Sequence, residues 1–415
     1  MTIAYHVRID WDDDGDHDAT GEDVSTAVLA LEWRLGFDAP YQPLAPPGRA
    51  RITLDNRDGQ FSPEPAAFTP GKALRISADD GGEGRTLFAG LIERIEADTG
   101  LHGPRTVRLH AATFDAQFDG MRMTLPPLAV TDAGSAIARL LDGLPLRRAS
   151  LAGLWRLGEP DFSRLDLTAR VVADSPVTQV IQQGATTLVT VGVGGQGGES
   201  PTAAITALAE AERGRFFADR EGRACFLNRH HTLLAMSAQA VITVDAEGID
   251  YQFGADQVSA VHVRFVPRAV GAAGTTLWTL ASSQRVNPGV RRLRVGFHDA
   301  GGRPMAALRL EDFTFAANLS ADGSGEPVLL TVVVTQTSAA GAELELRNDT
   351  GLPVFLLAGA RLTGTPLLLG DPAVAAQIDV GGQVSLLPRA LDLDLALIAD
   401  YDDADQIARF ELARR

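Results

Sequence analysis

Lysine is almost missing from this sequence: of 37 basic residues only Lys72 is a lysine, and against 53 acidic residues they leave a formal net charge of −16. A surface of that sign repels phosphate backbones, which argues against a chain whose work is to grip nucleic acid. Cysteine is nearly absent too. Cys225 stands alone, so neither an intramolecular disulfide framework nor a thiolate metal cage can form, and its expected place is a packed core. No apolar run approaches the roughly 20 residues that span a bilayer, and the opening MTIAYHVRID has neither a basic lead nor a cleavable apolar segment. The expectation is a soluble chain with no membrane span and no ordinary secretion signal.

What is present is material for cores and turns. At 415 residues with 45% apolar content, two to four domains are expected. With 42 glycines and 22 prolines and few long helical patterns, the composition leans to β structure. The stretch ARITLDNRDGQFSP shows how that works. Ala50, Ile52 and Leu54 alternate with Arg51, Thr53 and Asp55 as in a half-buried strand. Asn56, Asp58 and Gly59 then make a tight turn, Phe61 re-enters the core and Pro63 ends any ladder.

Upstream, Ile3, Tyr5, Val7, Ile9 and Trp11 alternate with Ala4, His6, Arg8 and Asp10 and predict a first strand. It empties into DWDDDGDHDATGED, where Asp10, Asp12, Asp14, Asp16 and Asp18, with Gly15, match the first half of an oxygen-ligand calcium loop. At the position of the closing bidentate glutamate stands Gly21, with Glu22 one place late, and no helical pattern precedes the loop. A Ca²⁺ site at these aspartates and a solvated acidic hairpin tip are both open readings.

Short apolar runs at Leu74–Ala78, Leu87–Ile95 and Thr106–Ala112 predict an antiparallel barrel or sandwich over residues 1–120. Residues 121–239 mix helices and short strands. One helix is expected from Asp132 to Asp142, capped by Thr131 and stopped by Gly143, and another opens at Pro201 behind Ser200. RFFADREGRACFL reads as a hairpin turning at Asp219 to Gly222. Over 240–400 the segments ITVD, VSAVHVRFV, TLWTL, RRLRVGF, EPVLLTVVVTQ, AELELRN, PVFLLAGARLTG and QVSLLP predict a second barrel or sandwich region. Val328 to Val334, continuous rather than alternating, reads as a strand covered on both faces. Residues 401–415 read as a helix with acids at its start and arginines at its end. The fold class expected is mainly β and multi-domain: two β-barrel or sandwich domains joined by a small α/β module.

Catalytic patterns are sparse. Gly192, Gly194 and Gly197 follow a strand and precede a helix, yet no second βα unit supports a dinucleotide site. His230 and His231 would point to opposite faces of a strand, and no third metal ligand is evident. There is no G-x-S-x-G elbow and no carboxylate pair standing out as an acid and nucleophile for glycan cleavage. Trp33, Trp155 and Trp278 read as core aromatics, and Trp11, beside the acidic loop, as either core or surface.

Four passages, in order, resemble the tail-hub and minor tail proteins of phages and phage-like injection machines: DWDDDGDHDATGEDV with LEWRLG; ARITLDNRDGQFSP; AITALAEAERGRFFADREGRACFLNRHH; and LEDFTFAANLSADGSGEP with NDTGLPVFLLAGARLTGTPLLL. They span Asp10 to Leu369 and none is a catalytic motif. The resemblance implies a non-enzymatic virion tail component, assembled in the host cytoplasm. It would form a ring, commonly a homotrimer, at the distal end of the tail tube, with two barrels per copy imitating the six-fold tube. Its partners would be the tube or a distal tail protein above and spike or fibre proteins below, with DNA passing through the lumen unbound and no cofactor required. The N-terminal barrel and one beginning near Ala240 would face the tube, and residues 121–236 would lie outside or below. Such hubs often continue into longer C-terminal domains. The alternative reading is a calcium-dependent β-sandwich module that binds carbohydrate or a surface through the acidic loop.

Overall fold

A computed structural model describes residues 3–15, 17, 19–62, 68–79, 84–98, 104–123, 128–144, 146, 179–191, 199–231, 257–379 and 389–414. The expected strands at ITVD and QVSLLP, the glycine run 192–197 and Trp155 lie outside these residues. Contacts divide the chain into one unit of Met1–Met121, Ala133–Ala185 and Pro201–Ser237 and a second of Arg122–Asp132, Thr186–Ser200 and Ala238–Arg415. The fold is mainly β and multi-domain.

In the first unit, β1 (Ala4–Asp10), β2 (Val28–Arg34), β3 (Arg49–Asp55), β4 (Ala73–Asp79), β5 (Arg85–Asp98) and β6 (Thr106–Ala112) form one antiparallel sheet in the order β1-β4-β5-β6-β3-β2. Alternation dictates its inner face: Val7, Ile9, Ile52, Leu54, Ile76, Phe88, Val107 and Leu109 are buried in one core. Each such side chain contributes roughly 1.5–3 kcal/mol of burial. The edge strands are drawn together. Ile9 N–H donates to Glu22 O and Val24 N–H to Val7 O, both at 3.0 Å, so residues 22–24 run along the free edge of β1. A 3₁₀ turn at Ser25–Ala27 then delivers β2, and the rings of Tyr5 on β1 and Trp33 on β2 lie 6.1 Å apart. The sheet thus curls toward closure, helped by irregular registers in β4 and β5 and by Gly90, where a Cβ would fall 2.4 Å from Ala112 O.

The corner after β3 is held by its asparagine. Buried Asn56 accepts the Phe61 N–H at Oδ1 (2.9 Å) and donates from Nδ2 to Ser62 Oγ (3.1 Å). Gly59 takes φ 75°, and Phe61 returns to the core against Phe68.

The next elements are β7 (Leu128–Asp132), α1 (Ala133–Asp142), β8 (Gln179–Ile181), β9 (Thr187–Val191), α2 (Pro201–Glu212), β10 (Arg215–Ala218) and β11 (Ala224–Leu227). Helix α1 buries Ile137, Leu140 and Leu141 and lies against α2. Thr131 does not cap α1: it and Asp132 are extended in β7, paired with Leu188 and Thr187 of β9, so the helix opens at Ala133. Ladder hydrogen bonds outcompete the local cap here. The β10–β11 hairpin turns where expected, with Asp219 Oδ1 accepting the amides of Glu221 and Arg223 at 2.9 Å. It is fastened to the 43–45 segment by Phe216 N–H to Pro43 O (2.8 Å) and Ala45 N–H to Phe216 O (2.9 Å), with Phe37 and Phe217 edge to face. Cys225 is buried on β11, as a core residue.

The second unit continues through β12 (Ala260–Phe265), β13 (Arg268–Val270), β14 (Thr275–Thr279), β15 (Gln284–Val286), β16 (Gly289–Gly296), β17 (Ala306–Thr314) and β18 (Ala317–Asn318). It ends with β19 (Thr331–Ser338), β20 (Gly341–Asn348), β21 (Val354–Leu356), β22 (Arg361–Leu369), β23 (Ala373–Ile378), β24 (Ala390–Asp394) and α3 (Tyr401–Arg414). Strand β12 sits between antiparallel β23 and parallel β24, and α3 packs against β12 and β23. Between β12 and β23 the chain makes three further sheets, β13-β22-β14 with β17 on β22, β15-β21-β18 and β16-β20-β19. They surround a core that includes Leu277, Val295, Phe297, Leu344, Leu346 and Leu362.

The run Val328 to Val334 is not covered on both faces. Strand β19 is an edge strand, Leu329 just before it is 89% exposed and Val333 is 54% exposed. Its unbroken apolar text therefore marks one buried and one open face.

Candidate functional site

The acidic turn after β1 brings together carboxylates that are distant in sequence. Left-handed backbone at Asp13 (φ 62°), Gly15 (φ 95°) and Gly21 (φ 94°) folds the chain back so that Glu22 returns beside β1. Ligand-capable atoms of Asp10, Asp12 and Glu22 all lie within 4.8 Å of one another. Asp10 is 3% exposed and Glu22 1%, whereas Asp12 is open to solvent. Of the five aspartates the spacing picks out, Asp10 and Asp12 join this group. Asp14 is not in it and gives its N–H to Asp12 Oδ1 at 3.4 Å, while Asp16 and Asp18 lie outside the described residues.

Glu22 is the residue that the loop spacing does not assign. Its sequence signal is a glutamate one place beyond the closing position of the loop pattern. Its Oε1 accepts the Trp11 N–H (3.1 Å) and its Oε2 the Ala19 N–H (3.0 Å). Asp10 Oδ2 accepts the Gly15 N–H at 3.1 Å, and Asp10 Oδ1 is buried without a hydrogen-bond partner among the described residues. Lys72, the single lysine, goes to Asp13, at 2.7 Å. Burial pushes the Asp10 carboxyl above its ordinary range; the Gly15 and Asp13 amides oppose the shift, and the charges of Asp13 and Asp14 add to it. Burial likewise raises Glu22, against the Ala19 and Trp11 amides and reinforced by Asp12 and Asp10. Two like charges about 4 Å apart repel by about 4 kcal/mol at an effective dielectric of 20. Trp11 closes the turn, packing on Phe68 at 4.9 Å and donating Nε1–H to Gly21 O at 3.2 Å, half-buried against the first core.

Solved structures similar to this chain include a tail protein from Neisseria meningitidis MC58, at 10% identity and TM-score 0.37, covering 88% of this chain and 97% of that one. A 43 kDa tail protein of prophage MuSo2 from Shewanella oneidensis matches at 10% identity and TM-score 0.35, covering 99% and 78%. The E. coli c3393 protein, a component of the type VI secretion system with structural similarity to the T4 bacteriophage tail proteins gp27 and gp5, matches at 11% identity and TM-score 0.29, covering 77% and 73%. No protein-family model and no curated protein matches the sequence.

On the outer face of the first sheet, Arg34, Arg49, Arg51 and Arg94 line a groove with Glu32 and Glu93. Its charges are largely matched: Arg49 pairs with Glu93, Arg94 with Glu96 at 3.0 Å, and His110 with Glu96 at 3.3 Å. Exposed pairs of this kind contribute little to stability, and the groove is a ladder of matched charges more than an anion trap. His230 and His231 sit in a turn after β11, not on a strand, and Asn228 Oδ1 accepts the N–H of both at 3.1 Å. His231 Nδ1 lies 3.3 Å from Gln182 Nε2, in a polar network that holds the turn. Trp33 and Trp278 each pack against one of the two cores. Among the described residues no helix is long and apolar enough to cross a membrane.

Proposed function

We propose that this chain is a structural tail component of a phage or phage-like injection machine. It acts as a hub ring at the distal end of the tail tube and joins the tube to spike or fibre proteins. One observation carries the reading: the four tail-hub-like passages occur in order, and they fall on the corners and hairpins that shape the β framework. LDNRDGQFS is the Asn56 corner of the first sheet. RFFADREGRACFL is the hairpin fastened to the 43–45 segment. SADGSGEP and NDTGLP are asparagine-held corners in the second unit. A ring of three copies, each offering two β-rich bodies, would present six similar surfaces to a six-fold tube. The net charge of −16 suits a lumen through which DNA slides without adhering.

The work of such a protein is done by shape and by contact with its neighbours. Light scattering coupled to size exclusion, followed by negative-stain imaging, tests the proposal on the full chain. A closed ring with a central hole is expected. A monomer at every concentration, or a ring whose hole is lined by arginine, would overturn it.

A further inference from the structure

The acidic turn asks for something that the polypeptide does not supply. Asp10 and Glu22 are both buried and share a cluster with Asp12. The Asp10 and Glu22 oxygens that are satisfied are satisfied by backbone amides, while Asp10 Oδ1, in a side chain 3% exposed, accepts no hydrogen bond among the described residues. Lys72, the single lysine, pairs with Asp13. Buried carboxylates are ordinarily paired with a base or bound to a metal.

We propose that Asp10, Asp12 and Glu22 form a divalent-cation site fitted to Ca²⁺, which ties the acidic turn to the edge of β1. The donors are all oxygen, as a hard cation requires, and their mutual reach of up to 4.8 Å matches the span across an ion with bonds of about 2.4 Å. Mg²⁺ needs shorter bonds near 2.1 Å and a stricter octahedron, which a set drawn from a strand end, a turn and a returning segment does not favour. Asp12, open to solvent, provides the way in, and waters complete the shell. The ion would act on the fold: residues 22–24 lie along the free edge of β1, so joining Glu22 to Asp10 and Asp12 fixes the segment through which the first sheet curls toward β2.

This inference does not rest on the tail reading, and a ring that binds no calcium would leave that reading intact. The test is calcium titration of the full chain by calorimetry and by melting temperature, after chelation, for the wild type and for Asp12→Asn and Glu22→Gln. One-to-one binding and a rise of several degrees in Tm are expected for the wild type. Asp12→Asn, an exposed isosteric change, should weaken Ca²⁺ at least tenfold while leaving the chelated protein's Tm unchanged. Glu22→Gln should abolish the response, and because its amide nitrogen cannot accept the Trp11 or Ala19 N–H it should also melt lower than wild type in chelator. Absence of heat and of any Tm shift would overturn the proposal, as would an unaltered calcium response in both variants. An equal response to Mg²⁺ would overturn the assignment to calcium.

Discussion

Thr113 Oγ1 donates to Asp115 Oδ1 at 2.5 Å while accepting the Gly48 N–H at 2.7 Å, tying the end of β6 to the entry of β3 through a buried carboxyl. Burial is the largest influence on that carboxyl and lifts it from 3.8 to about 6, against the Thr113 hydrogen bond and the Arg49 charge. A carboxyl raised on folding contributes stability that is complete below its unfolded value and is lost as pH rises through the folded one. From pH 4 to pH 7 this residue should therefore cost the wild type up to ~3 kcal/mol. Asp115→Asn removes that dependence. Its stability relative to wild type, by urea unfolding, should rise between pH 5 and pH 8, and a difference independent of pH would contradict the assignment.

Three buried asparagines hold corners in the same way. Besides Asn56, Asn318 donates Nδ2–H to Gly325 O at 2.8 Å and accepts the Ser320 N–H at 2.9 Å. Asn348 donates to Val286 O (3.0 Å) and Leu352 O (2.7 Å) and accepts the Thr350 N–H (3.0 Å). Asn348→Leu fills the space but strands several buried polar groups, so it should destabilise by about 2–4 kcal/mol. Asn56→Ala should cost about 2–3 kcal/mol on the same grounds. Shifts in denaturation midpoint below ~0.5 kcal/mol would mean that these corners are held by something else.

Closure of the first sheet makes Tyr5 and Trp33 interdependent. A double-mutant cycle with Tyr5→Ala and Trp33→Ala should give a coupling of about 0.5–1.5 kcal/mol, the ordinary worth of an aromatic pair. Additive losses would separate the two edges.

Glycine substitutions test close backbone approach. A Cβ at Gly90 would lie 2.4 Å from Ala112 O, and one at Gly364 would lie 2.3 Å from Arg309 O. Either Gly→Ala change should cost about 1–3 kcal/mol, because backbone must move. Gly120→Ala, with nothing within 4 Å, should stay within ~0.5 kcal/mol in the same thermal melts.

Much of this framework is legible in the residues because strands that bury one face must alternate. Ala50 to Asp55, Thr106 to Ala112 and the RFFA hairpin are plain for that reason, and their corners are plain because asparagine, aspartate and glycine have few other uses there. Thr131 misleads: a hydroxyl before an apolar stripe looks like a cap until pairing across a gap of more than fifty residues claims it for β7. The edge position of β19 is invisible for a similar reason, since apolar text does not say which neighbours arrive. At the acidic turn, spacing points to Asp10 and Asp12. Only the left-handed residues at 13, 15 and 21 reveal that Glu22 comes back to meet them.

Phe265 faces Ala373 at the end of the β12–β23 ladder, and Pro267 O accepts the Gly370 N–H at 2.8 Å just beyond. To the parent ladder, the hundred or so residues in between amount to one oversized hairpin loop. A lineage could swap that cassette for a shorter tip or a different decoration without cutting a single rung of the host strands. Variation in whatever this end of the molecule touches would then be cheap to acquire.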